Sequence, residues 1–376
     1  MADEPWGSGG AREAEPPVGT PIQGVTLYSF TRAFHGRRYD LDGLIRKAAA
    51  DGHGPGLEII GFSSFRGFPD IDDEYAGRFR DLVEEVGLVP TSLAINTDVG
   101  IRRDRLMTDD ELVEYMRRQI EAAAKLGFPI ARVQISLTPD AMEMLLPVAE
   151  RYGVTLALEV HAHQHARHPA ILALRDRYEK LGSPLLGFTA DWGATVSGFA
   201  PSLVEAYRRR DASPELIDAA IALWQDYYHQ GPPMSEPEHG QRFGAFIQLA
   251  AQHGRPDLGI DMAINGTGLF GPAPVESWLE IMPWIRHVHG KFFGIDEQGE
   301  EPSVPVRDLI ALLVHAGYSG AISSEYEGWH WNYWQDAFDI VAGEQAVQRS
   351  AASTAGSRMV TDGNEARQML ERHLRG

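Results

Sequence analysis

The chain has 376 residues, is 43% hydrophobic, carries a formal charge of -19 and contains no cysteine. That size suffices for one large α/β domain or two ordinary ones, and the missing thiols exclude disulfides, zinc–thiolate sites, iron–sulfur clusters and thiol nucleophiles. The acidity disfavours nucleic acid and anionic membrane as partners and suits a small neutral ligand.

Residues 1–20, dominated by Gly, Pro, Glu and Ala, read as a flexible N-terminal tail with no apolar core of a signal peptide. No apolar run nears the roughly 18–20 residues of a membrane span, so a cytoplasmic protein is expected. Short apolar runs then alternate with longer amphipathic stretches that end in Gly. In order the runs are GVTLYSF (24–30), GLEIIGF (56–62), VPTSLAI (89–95), IARVQIS (130–136), VTLALEVH (154–161), LLGFTADWG (185–193), RHVHGKF (286–292) and AISSEYE (321–327). Eight strand–helix units in series predict a parallel sheet closed into a (β/α)8 TIM barrel over residues 21–350, with 351–376 as a C-terminal tail or helix. An open doubly wound sheet would show a Gly-rich first turn, and TLYSFTRAFHGRR has no GxGxxG spacing.

One unit is oversized. Between strands 6 and 7, at about 194–285, lies a long helical insertion with amphipathic stretches at 213–231 and 240–254, a strand-like LGIDMAI at 258–264, and VESWLEIMPWI at 275–285. Such an insertion is expected to serve as a lid, a substrate wall or a subunit contact, or else to pack outside the barrel.

A barrel keeps its chemistry at the C-terminal ends of its strands. There the sequence offers Glu159 and His161 on strand 5, Asp191 on strand 6, His287, His289 and Lys291 on strand 7, and Glu325 and Glu327 on strand 8. Residues two apart on a strand share a face. The interior can thus receive Glu, Asp, His and Glu from neighbouring strands, an oxygen-rich set with one imidazole that suits Mn²⁺, Mg²⁺ or Co²⁺. Each of these alone reads equally as a hydrogen-bonded strand-end residue.

The spacing of LALEVH, FTADWG, HVHGKF and SSEYEG, with GLEIIGF and HAGYSG, resembles the xylose-isomerase-like barrel superfamily of sugar isomerases, epimerases and dehydratases. The resemblance implies that Glu159, Asp191, His289 and Glu325 hold a divalent metal, with manganese the first expectation. Between Glu325 and Glu327, which share a face, the family pattern favours Glu325. His161, beside Glu159, is the candidate general base. Lys291 is expected either to bind a substrate oxygen or to pair with Glu327. Glu58 reads as a base or as a buried hydrogen-bond partner. His163, His165 and His168 are expected to be exposed or to cap the helix that starts at His168–Pro169.

A metal chelating a carbonyl and its neighbouring hydroxyl acidifies the α-proton, and a base then gives an enediolate that either reprotonates or expels a β-leaving group. The long insertion, the ISSEYEG block and the Trp-rich GWHWNYW (328–334) are most similar to the catalytic alpha subunits of C-glycoside deglycosidases. That resemblance implies β-elimination of 3-oxo-C-glucosides with flavonoid-type aglycones, and a small beta subunit in a hetero-oligomer. The alternative is a ketose isomerase or epimerase working through the same enediolate. The aromatic residues of GWHWNYW can stack on a sugar or aglycone, or pack the last helix onto the barrel. A metal-dependent abasic-site endonuclease needs a basic DNA face that this acidic chain lacks.

Overall fold

The computed structural model describes residues 18–134 and 137–375. Most of the expected N-terminal tail and the final two residues of the run 130–136 lie outside that range.

Eight parallel strands close into a barrel in chain order. They are β1 (Ile22–Thr26), β2 (Gly56–Ile60), β3 (Val89–Ile95), β4 (Ile130–Val133), β5 (Thr155–Val160), β6 (Leu186–Asp191), β7 (Ile285–Phe292) and β8 (Ala321–Tyr326). Closure is made by β1 pairing with β8, from Ile22 opposite Ala321 to Val25 opposite Ser324. Every residue of β5 through β8 is buried, so the polar side chains of β7 and β8, among them His287, His289, Lys291 and Glu325, are held inside the barrel.

The helices that return the chain carry their own boundary signals. The helix Asp109–Leu126 opens with a capping box between Thr108 and Glu111. It ends at Gly127, whose φ of 86° is a left-handed conformation that a side chain would strain. The apolar faces of these helices pack on the outside of the barrel, as with Met116, Ile120 and Ala123 of that helix.

Several boundaries differ from expectation: the runs 56–62, 185–193 and 321–327 are strand only to Ile60, Asp191 and Tyr326, so Glu327 lies in a 3-10 turn after β8 rather than on the strand. The run 24–30 is strand only to Thr26, after which Leu27–Phe30 turns as a 3-10 helix that presents Tyr28 at the strand's C-terminal end. The strand expected at 258–264 is helical instead, over Gly259–Ala263, and continues into a π-turn at Ile264–Leu269. A closed barrel has no free edge for a ninth strand, and Gly259 packs closely against Ile247 of the neighbouring helix, where an added Cβ would lie 3.2 Å from the Ile247 Cα.

The insertion contains helices Pro201–Arg209, Pro214–Gln230 and Glu236–Gln252. After β8 the chain forms helix Ala337–Thr354, then returns across the N-terminal end of the barrel. There Val360 bridges to Ile22, and helix Gly363–Arg375 packs Ala366 and Leu370 against Ile22, Val89, Ile130, Ala157 and Ala321. No helix among the described residues is long and apolar enough to cross a membrane.

Candidate active site and metal centre

Strand ends β5 to β8 bring the expected residues to one place. His289 is fully buried on β7, and its Nδ1 lies 2.8 Å from Glu159 Oε1, 3.3 Å from Glu325 Oε2 and 3.7 Å from Asp191 Oδ2. Ligand atoms of Glu159, Asp191 and His289 all fall within 4.8 Å of one another. Glu325 joins this group through His289 and through Lys291 Nζ at 3.5 Å.

The opposite edge of the imidazole is fixed. His289 Nε2 meets Glu58 Oε1 at 2.7 Å, while the other Glu58 oxygen takes His287 Nε2 at 2.8 Å. Of the two roles open to Glu58, the structure gives it that of buried partner. The surrounding carboxylates draw the imidazolium form of His289 upward in the metal-free site, and in the neutral tautomer protonated on Nε2, the one Glu58 favours, the Nδ1 lone pair would face the carboxylates. Asp191 is held likewise: Oδ1 accepts the Gly193 amide at 2.6 Å, leaving Oδ2 to the cluster.

Lys291 stands at the second focus. Its Nζ lies 2.8 Å from Asp191 Oδ2, 3.0 Å from His161 Nε2 and 3.1 Å from Glu327 Oε2. The pairing with Glu327 therefore coexists with contacts to Asp191 and to His161. His161 Nδ1 faces the Ala162 carbonyl, so the consistent tautomer donates from Nδ1 and leaves a lone pair on Nε2.

Two contributors were not singled out in the sequence. Arg132, a buried cation on β4, reaches Glu159 Oε2 at 3.3 Å. Tyr28 donates to Glu327 Oε1 at 3.0 Å and contacts His330 Nε2 at 2.9 Å. A signal for Arg132 existed: one charged residue inside the otherwise apolar strand IARV.

The electrostatics are those of a site short of positive charge. Carboxylates Glu58, Glu159, Asp191, Glu325 and Glu327 are buried together, and the permanent cations Arg132 and Lys291 offset only part of their charge. Burial opposes ionisation of Asp191, yet Lys291 and His161 hold it down to about 2. Burial opposes the charge on Glu327 as well, and Lys291 keeps it at about 2. Glu325 is pushed up to about 8, first by burial and then by Asp191 and Glu327 against His289 and Lys291.

Asp191 Oδ2, Glu325 Oε2 and His289 Nδ1 are buried without a well-aligned hydrogen-bond partner. Converging lone pairs and surplus negative charge fit a divalent cation held by Glu159, Asp191, His289 and Glu325, a hard donor set with one imidazole. Such an ion supplies Lewis acidity toward a carbonyl and its adjacent hydroxyl.

A cavity of about 640 Å³ meets this cluster at Glu327 and Tyr28. One wall is built from the insertion, with Arg209, Asp261, Ile264 and Leu269, and the other from His330, Trp331, Tyr333 and Trp334. The aromatic run divides its work. Trp331 is buried, stacks on Phe293 and donates to Ser202 Oγ at 3.1 Å, whereas Tyr333 and Trp334 remain exposed under Arg32 and Arg209. Beyond β5, His168 caps the helix Pro169–Leu181 by accepting the Ala170 amide. His165 and His168 are both buried, at 2% and 5% exposure, so exposure describes neither.

A closed (β/α)8 barrel with carboxylates and an imidazole gathered at its strand C-termini defines the class, a TIM barrel enzyme. The profile of the xylose isomerase-like TIM barrels matches residues 47–352. A C-glycoside deglycosidase alpha subunit of Arthrobacter globiformis is 76% identical over 95% of this chain and 98% of its own. A 3'-dehydrocarminate deglycosidase alpha subunit of a Microbacterium species is 48% identical over 88% of this chain and 94% of its own. Among solved structures, the IOLI protein with a binding zinc atom shares the fold at a TM-score of 0.50 and 12% identity, over 88% of this chain and 98% of that one. The chain belongs to the xylose isomerase-like TIM barrel family, and within it to the C-glycoside deglycosidase alpha subunits.

Proposed function

We propose that this chain is the catalytic subunit of a manganese-dependent lyase that cleaves the C-glycosyl bond of 3-oxo-C-glucosides with flavonoid-type aglycones. The observation that carries this reading is the buried cluster of Glu159, Asp191 and His289, joined through Lys291 to Glu327, which lines a cavity walled by Tyr333 and Trp334. A sugar carbonyl and hydroxyl suit the cluster, and a flat phenolic ring suits the aromatic wall.

Glu159, Asp191, His289 and Glu325 would hold the Mn²⁺, which when bound would supply Lewis acidity toward the ketone and so acidify the neighbouring C–H. His161 then takes that proton on Nε2, the nitrogen whose lone pair Lys291 holds in the free protein. The carbon–hydrogen electron pair becomes the sugar's new double bond, the bond to the aglycone breaks, and the aglycone carbon leaves with that bond's electrons and takes up the proton that His161 removed, which returns His161 to its neutral form. Lys291, drawn upward in pKa by Asp191, Glu325 and Glu327 against the effect of burial, stays an ammonium and faces the developing oxyanion. The names of the relatives as alpha subunits support a small beta subunit as partner.

The test is incubation of the Mn²⁺-loaded chain, alone and with a candidate beta subunit, with a 3-oxo-C-glucoside, following aglycone release by chromatography. Release that is lost with a chelator and in Glu159→Ala is the expected result. Interconversion of a free ketose with no aglycone released would instead make the protein an isomerase or epimerase.

A further inference from the structure

The loop after β5 carries a histidine that the reaction above does not use. His163 Nε2 lies 2.8 Å from Oε1 of Glu236, a residue 73 positions on. Glu236 and His239 sit three apart in the first turn of the insertion helix Glu236–Gln252 and so share a face. The rings of His163 and His239 lie face to face, 3.7 Å between centroids and 12° from parallel. One donor atom from each of the three side chains lies within 4.8 Å of the other two. His239 Nε2 is buried and has no hydrogen-bond partner among the described residues.

An unsatisfied buried imidazole nitrogen beside a second imidazole and a carboxylate is unfavourable unless something occupies the gap between them. We propose that His163, Glu236 and His239 form a second metal site, selective for a borderline divalent cation such as Zn²⁺, that clamps the β5 loop to the insertion. The donor sets separate the two sites. Two imidazoles and one carboxylate favour zinc, nickel or copper, whereas the three-carboxylate cluster at the strand ends favours a harder ion.

Metal binding requires one imidazole to turn out of the stack, because rings 12° from parallel keep their in-plane lone pairs from converging on one ion. Zinc–nitrogen bonds of about 2.0–2.1 Å place tetrahedral ligands roughly 3.3 Å apart, so donors now within 4.8 Å close by roughly 1–1.5 Å. Glu236, whose side chain is 66% exposed, is free to rotate, and the loop carries His163 toward the helix. The fourth position is left to water. Because the ligands come from the barrel and from the insertion, bound metal stabilises their contact by mass action.

The experiment counts metal, so it does not depend on the proposed reaction. The metal-stripped full chain is dialysed against Zn²⁺ and its content measured in the wild type, His239→Gln, Glu236→Gln and Glu159→Gln, each checked for native circular dichroism. The wild type is expected to hold one more equivalent than His239→Gln, and Glu159→Gln is expected to keep that equivalent. Glu236→Gln, which changes a mostly exposed side chain, should weaken it about tenfold or more. Co²⁺ in the same site should give the visible bands of four-coordinate cobalt, absent in His239→Gln. Equal zinc content in folded wild type and His239→Gln overturns the proposal, as does an equivalent that disappears with Glu159→Gln instead.

Discussion

Glu58 decides which nitrogen of His289 faces the carboxylates. Each of its oxygens holds one imidazole, and among the described residues no second acceptor stands behind His289 Nε2. Replacing it with glutamine keeps the shape but lets the amide donate, which frees the ring to flip or change tautomer. Glu58→Gln is expected to weaken Mn²⁺ about 10- to 100-fold, as chelator competition will measure. His161→Ala tests the base: kcat should fall about 10²- to 10⁴-fold with metal content unchanged, and full activity would remove His161 from the reaction. The cluster of Glu159, Asp191, His289 and Glu325 was legible because it falls on four strand ends at family spacing. Tyr28 was not, because its place depends on a 3-10 turn that looks in sequence like the end of a strand. The contact from Arg132 to Glu159 depends on how adjacent strands stagger, which pattern alone does not encode.

Among the elements, the segment after β8 and the insertion share one task, since both wall the cavity that opens on Glu327. Trp334 is 36% exposed with the Arg209 guanidinium 4.1 Å from its ring centre, so it contributes a face rather than filling a core. Trp334→Ala should raise KM for an aromatic glycoside about 5-fold, near 1 kcal/mol, and leave kcat within about twofold. An equal fall in kcat would place the ring at the reacting atoms instead. The helices of the insertion could be read from their amphipathic period. The segment 258–264 could not, because five or six apolar residues fit strand and helix alike, and the choice is made by a barrel that is already closed.

Across the whole molecule, the C-terminal helix brings His373 under the start of β7. Burial and the nearby Arg286 push its pKa down to about 4, and its Nε2 has no partner. A histidine depressed in the fold loses its stabilising effect as pH falls. The unfolded chain takes up a proton near pH 6.5 while the native state resists until about 4, so stability declines through that window by up to about 3 kcal/mol. Denaturant unfolding at pH 7 and at pH 4.5 should show a smaller loss for His373→Gln than for the wild type; identical losses would contradict the assignment. The same end of the barrel bears on synthesis. β1 finds its β8 partner only when residues 321–324 have been made, and the apolar base stays open until Ala366 and Leu370 arrive. At about 5–20 residues per second, the first strand waits roughly 15–60 seconds with one edge unpaired. Through that interval the nascent chain presents an unpaired β1 edge and an uncovered apolar base, the conditions under which a growing chain is most exposed to aggregation.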